Sequence, residues 1–179
     1  MMNILVTGCN GQLGNELKKV ALYENDINWI FTDIETLNIC NETEVVSFFN
    51  NNNIDVCINC AAYTAVDKAE DDVTTARLVN ADAVNYLAKT CKSNKTLLIH
   101  ISTDYVFDGT SERAYKENDT VSPNSVYGKT KAEGEHYIIN SGCSYIIVRT
   151  SWLYSSYGNN FVKTMLRLGS ERDFVNVVN

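Results

Sequence analysis

Three glycines at a spacing of three, Gly8, Gly11 and Gly14, stand in the run Thr7-Gly8-Cys9-Asn10-Gly11-Gln12-Leu13-Gly14. Residues 3–7 before them form an apolar, strand-like run. Residues 12–23 after them place Leu13, Leu17, Val20 and Ala21 on one helical face. Few connections between a strand and a helix need glycine at this period. One glycine permits the tight turn, one lets the backbone approach a pyrophosphate, and one lets the helix pack close to the strand. The helix start then offers unpaired N–H groups to negative charge. Asp33 closes the next strand-like run, where a carboxylate can accept hydrogen bonds from an adenosine ribose. The glycine string alone is weak evidence; the strand, the helix and the acid around it make it specific.

The rest of the chain keeps the same alternation. Strands are expected over 28–32, 54–60, 96–101 and 144–149, and helices over 41–49, 72–93, 126–139 and 159–168. Asn41 with Glu44 three residues on reads as a helix start. The long helix carries Ala76, Val79, Ala83, Leu87 and Cys91 on one stripe. Apolar strands separated by helices specify an α/β fold, a Rossmann-type doubly wound parallel sheet with helices on both faces. Residues 1–179 then form one NAD(P)-binding domain. Cys57 and Cys60 are three apart on an expected strand, so their thiols point to opposite faces, which disfavours a redox or zinc pair.

With 22 acidic against 15 basic residues the net charge is −7, which argues against a surface that tracks nucleic acid. No apolar run reaches the ~18–20 residues that span a bilayer, so no membrane partner is expected. The N-terminus runs straight into a strand without a basic leader, and a cytoplasmic protein is the expectation.

A second constellation lies in the other half. Tyr127 and Lys131 are four apart and share a helix face. Free tyrosine titrates at about 10, and a neighbouring ammonium favours its phenolate. Lys131 is also placed to hold a nicotinamide ribose, whereas Lys129 points elsewhere. Thr103 sits where the fourth strand ends, the edge at which open parallel sheets bind ligands. Its hydroxyl can bond a carbonyl. The expected catalytic set is Thr103, Tyr127 and Lys131. No Arg or Lys closely follows Asp33, so the electrostatics predict that NADH is accepted.

Gly8-x-x-Gly11-x-x-Gly14, Ser102-Thr103 and Tyr127-x-x-x-Lys131 resemble the marks of extended short-chain dehydrogenases/reductases. Residues 59–70, 102–109 and 149–154 narrow the likeness to the dTDP-4-dehydrorhamnose reductase family. The resemblance implies NADPH or NADH as cofactor and a dTDP-linked 4-keto-6-deoxysugar as substrate. It implies that Gly8, Asn10, Gly11, Gln12 and Leu13 hold the pyrophosphate. Asp33, Asn38 and Ile39 would flank the adenosine, and Ala61 and Ala62 would line the cofactor, with Tyr127 and Lys131 at its nicotinamide end. Tyr127 would give a proton as hydride reaches C4, with Thr103 polarising the carbonyl. Thr64, Val66, Asp104, Tyr105 and Trp152 would face the sugar; Trp152 also reads as a core aromatic.

The sequence departs from the family in places. Asn38 stands where Asp is common, and Cys60 where Ala is common. Family members are also longer, so the C-terminal substrate-binding part is expected to be absent. An exposed apolar patch would then mark where it docks, and the piece alone would turn over little. Glu16 matches a family magnesium ligand whose partners lie further on, so no metal is assigned. A homodimer is implied for the longer protein. Two alternatives stay open: another nucleotide-sugar epimerase or dehydratase, and a non-catalytic regulatory module of the same fold. A dehydratase usually has an acidic pair beside the catalytic Thr, and here Asp104 is a single acid.

Overall fold

A computed structural model describes residues 1–176. The strands are β1 (Met2–Thr7), β2 (Ile27–Phe31), β3 (Val56–Asn59), β4 (Leu97–Thr103) and β5 (Tyr145–Thr150). The helices are α1 (Gln12–Ala21), α2 (Glu42–Asn51), α3 (Val66–Asp71), α4 (Val73–Arg77), α5 (Ala83–Asn94), α6 (Val126–Ser141) and α7 (Phe161–Glu171). All pairings are parallel, in the order β2-β1-β3-β4-β5. This is the α/β fold expected from the sequence.

Register sets the two cores. Leu5 pairs with Cys57, and Cys57 with Leu98, so these side chains share one face. There they meet Val45 and Phe49 of α2, Leu87 and Cys91 of α5, and Ile138 of α6. Ile4 and Val6 point the other way, toward Leu17 of α1. Cys57 belongs to the first core and Cys60 packs on the second, so the period of two separates them as expected. All six cysteines are free thiols.

Asn41 does cap α2, accepting from the Glu44 N–H at 3.3 Å. Glu44 does not complete a reciprocal box; its carboxylate accepts from the Asn38 N–H at 2.8 Å. The single helix expected over 72–93 is divided. Asp72 ends α3 and caps α4, accepting from the Thr75 N–H. A π-helical turn over Leu78–Asp82 then joins α4 to α5. The wider turn shifts the buried stripe, so Asn80 and Ala81 lie inside and Val79 is half-buried. Asn80 uses that position fully. Its carbonyl accepts from the Tyr63 N–H, and its amide N–H groups donate to the Tyr63 carbonyl and the Thr130 hydroxyl. A sequence stripe at period 3.6 cannot show this, because a π turn breaks the period it is read from.

Coverage is uneven on the α1 side. Ile146 is 48% and Val148 39% exposed on β5, and α7 has no buried residue. An apolar patch is thus exposed at the β5 edge. No helix among the described residues is long and apolar enough to cross a membrane.

The π turn depends on a close approach by α6. A Cβ on Gly134 would stand 2.2 Å from the Asn80 carbonyl oxygen. Gly134→Ala should therefore destabilise the fold by about 1–3 kcal/mol, as overpacking does. The urea midpoint checks this, with the wild-type slope retained.

Candidate active site

Between β1 and β3 the strand order reverses, and the crevice at their carboxyl ends is where such sheets bind ligands. Gly8 has a φ of +63°, and a Cβ there would stand 2.6 Å from the Ala61 backbone nitrogen. A Cβ on Gly14 would stand 2.5 Å from Cys9 Cα, which is the close helix–strand packing. Gly11 starts α1 without any side-chain cap, so the first N–H groups of the helix remain open.

The crevice has two chambers that share Gly11, Cys60 and Ala62. One, of about 330 Å³, is lined by Gly8, Asp33, Asn38, Ile39 and Ala61. Asp33 is fixed at its rim, one carboxylate oxygen accepting from the Asn10 N–H and the other from the Ile34 N–H, both at 2.9 Å. Asn38 folds its side chain back to accept from the Cys40 N–H at 3.0 Å. Of the residues expected around the cofactor, Asn10 borders neither chamber; it stands behind Asp33 as a support.

The other chamber, of about 310 Å³, contains the whole expected catalytic set of Thr103, Tyr127 and Lys131. Gln12 and Leu13 border it, as do Thr64, Val66, Asp104, Tyr105 and Trp152. Trp152 is 73% exposed, so the core-aromatic alternative does not hold. Its φ is +53°, a left-handed conformation rare for an aromatic, and its ring packs edge-on against Phe161. Lys129 is exposed, away from the chamber. Glu16 pairs with Lys19 at 3.1 Å, and no group of metal-ligating side chains occurs among the described residues.

Tyr127 is held by close backbone packing: a Cβ on the next residue, Gly128, would stand 2.2 Å from the Tyr105 carbonyl oxygen. The Tyr105 ring also packs edge-on against Tyr127, with centroids 5.6 Å apart. Burial pushes the Tyr127 phenol up, and the Thr103 hydroxyl pulls it partly back. The helical spacing points to Lys131 as the group that lowers it. Here the ammonium position is taken up elsewhere. Lys131 is 1% exposed, donates to the Ile101 carbonyl at 2.7 Å and lies 3.2 Å from His100 Nε2. Burial brings Lys131 down to about 8, opposed by Glu135.

Sequence reasoning missed the groups behind this lysine. Thr7 donates to Asn59 Oδ1 at 2.7 Å, and the Asn59 amide N–H faces His100 Nδ1 at 3.1 Å. With Nδ1 accepting, the proton of a neutral imidazole sits on Nε2 and faces Lys131. This line of bonds therefore suits the neutral amine. Burial, followed by the Lys131 charge, holds His100 well below the usual histidine range. One turn further along α6, Glu135 accepts from Ser102 and from Arg149 in a two-pronged pair, with Nη2 to Oε2 at 2.6 Å and Nε to Oε1 at 3.0 Å. Asn59 and His100 are polar residues at core-facing strand positions, which was the available signal.

The sequence model of the family described as "RmlD substrate binding domain" matches residues 2–179. The chain belongs to that family. A dTDP-4-dehydrorhamnose reductase of Aggregatibacter actinomycetemcomitans is 45% identical over 178 residues, covering 99% of this chain and 60% of the relative. A solved dTDP-4-dehydrorhamnose reductase of Clostridium acetobutylicum superposes with a TM-score of 0.92 at 48% identity, covering 96% of this chain and 61% of that one. Another, from Bacillus anthracis and in complex with NADP, gives a TM-score of 0.92 at 40% identity over the same shares. The chain thus spans about 60% of the length of the curated relatives it matches.

The Glu135 side chain is 3% exposed and that of Arg149 21%, so removing one partner strands a buried charge. Arg149→Met should cost about 3 kcal/mol, and adding Glu135→Gln should recover much of it. Urea denaturation of both variants checks the coupling.

Proposed function

We propose that this chain is the dinucleotide-binding domain of an NAD(P)H-dependent reductase acting on the C4 keto group of dTDP-4-dehydro-6-deoxy-L-mannose to give dTDP-L-rhamnose. The observation that carries this reading is the single crevice joining the glycine turn to Thr103, Tyr127 and Lys131. The names of the relatives support the substrate.

The residues fit a dinucleotide. Gly8 lets the turn pass close against the Ala61 backbone, and the uncapped start of α1 suits a pyrophosphate. Gly11, Gln12 and Leu13 would hold the phosphates. Asp33 would accept from the adenosine ribose, with Asn10 as its support and Asn38, Ile39, Ala61 and Ala62 around the nucleoside. The bound cofactor supplies the hydride.

Tyr127 is suited to give a proton because burial favours its neutral form. Thr103 donates to Asp104 at 3.1 Å and would turn that hydroxyl to the carbonyl oxygen. Lys131, when protonated, would stabilise the phenolate left on Tyr127 and hold the nicotinamide ribose. Thr64, Val66, Asp104, Tyr105 and Trp152 would face the sugar. In this reading the sugar pocket is completed by residues that the relatives carry beyond the matched stretch. A homodimer of the longer protein and a cytoplasmic setting belong to the same reading. A dehydratase has less support, since Asp104 is the single acid beside Thr103.

Titration by fluorescence should show that NADPH or NADH binds, and that Gly8→Ala abolishes binding. Failure of the wild-type chain to bind either dinucleotide overturns the reading. With dTDP-4-dehydrorhamnose added, oxidation of the cofactor should be slow, and Tyr127→Phe should lower it by roughly 10²–10⁴-fold, as expected for a lost general acid.

The pH dependence follows from Lys131. Its charged form is present below its value of about 8 and is lost above it, so the rate should fall as pH rises through about 8. A rate that stays level well above that pH would remove the ammonium from the mechanism.

A further inference from the structure

A cation is linked to Asp33 through Asn10, a connection that sequence distance conceals. Lys18, two turns into α1, donates to Asn10 Oδ1 at 3.0 Å. Asn10 in turn donates its backbone N–H to Asp33 Oδ2 at 2.9 Å. The Asn10 carbonyl accepts from the Asn15 side chain at 2.8 Å, so the residue is tied on three sides. It acts as a fixed post between the carboxylate at the chamber rim and the ammonium next to it.

Lys18 differs from its neighbour in how its charge is used. Lys19 pairs with Glu16 and lies over the Tyr157 ring. Among the described residues Lys18 makes no ion pair, although acidic residues outnumber basic ones by 22 to 15. Its partner is a neutral amide oxygen, which an incoming anion can replace. A ribose whose hydroxyls reach Asp33 would bring its 2′ substituent to this rim. A 2′-hydroxyl suits the carboxylate. A 2′-phosphate there meets the Asp33 carboxylate, and needs a cation within reach.

We infer that Lys18, held by Asn10, is a specificity-determining residue that lets the Asp33 rim accept a 2′-phosphorylated dinucleotide alongside the unphosphorylated one. This rests on the dinucleotide reading of the crevice proposed above. One rim then serves both ligands: Asp33 accepts from the ribose hydroxyl of one, and Lys18 donates to the phosphate of the other. A partly exposed ammonium gives a modest effect, readable as a change of about fivefold in affinity.

The experiment measures dissociation constants of NADPH and NADH for the wild-type chain, Lys18→Ala and Lys18→Arg by fluorescence titration, at low and high salt. Lys18→Ala should weaken NADPH about fivefold and leave NADH unchanged, while Lys18→Arg keeps NADPH affinity. NADPH affinity of the wild type should fall more steeply with salt than that of Lys18→Ala. If both dinucleotides bind and Lys18→Ala alters neither, or weakens both equally, the inference is overturned and the dinucleotide reading stands. Wild-type binding of NADH without NADPH overturns the inference in the same way. If neither binds to the wild type, the reading and the inference fall together.

Discussion

Two backbones meet at the top of this sheet with no room for a side chain between them. Gly8 lies against Ala61 just beyond the last paired residues of β1 and β3, where the crevice opens. The positive φ of Gly8 turns the chain, and the start of α1 follows at once. Everything proposed for the site is placed relative to this junction. Gly8 and Ala61 line the chamber that holds Asp33, and the chamber of Tyr127 adjoins it through Gly11, Cys60 and Ala62.

Behind the crevice, polar groups replace apolar ones in the core. Thr7, Asn59, His100 and Lys131 run from β1 through β3 and β4 to α6, all of them buried. Such a line is tolerable only because each buried donor finds an acceptor. It fixes the lysine nitrogen, while burial loosens that nitrogen's hold on a proton. The Glu135–Arg149 pair ties the same helix to β4 and β5. Two buried networks, one turn apart on α6, therefore hold the face that carries Tyr127.

The fold was legible because its signals are local. The Gly8–Gly14 run, Asp33 and the apolar strands each state their geometry within a few residues, and the sheet follows from their alternation. Tyr127 and Lys131 were legible for the same reason, through their spacing on one helix. What stayed hidden depends on contacts across the sheet. Asn59 and His100 meet only because they are in register on neighbouring strands. The π turn is fixed by Asn80 reaching Tyr63 and Thr130, residues 17 and 50 away in the chain. Lys18 is linked to Asp33 through Asn10, which no pattern in residues 33–36 can reveal.

The two tryptophans of the chain occupy unlike surroundings. Trp29 is half-buried on β2, stacked on Phe31 on the α1 side of the sheet. Trp152 stands at the mouth of the Tyr127 chamber, 73% exposed on a left-handed backbone. A dissolved quencher therefore reaches one indole far more readily than the other. The molecule carries its own optical probe of the chamber mouth, with the shielded Trp29 as its internal reference.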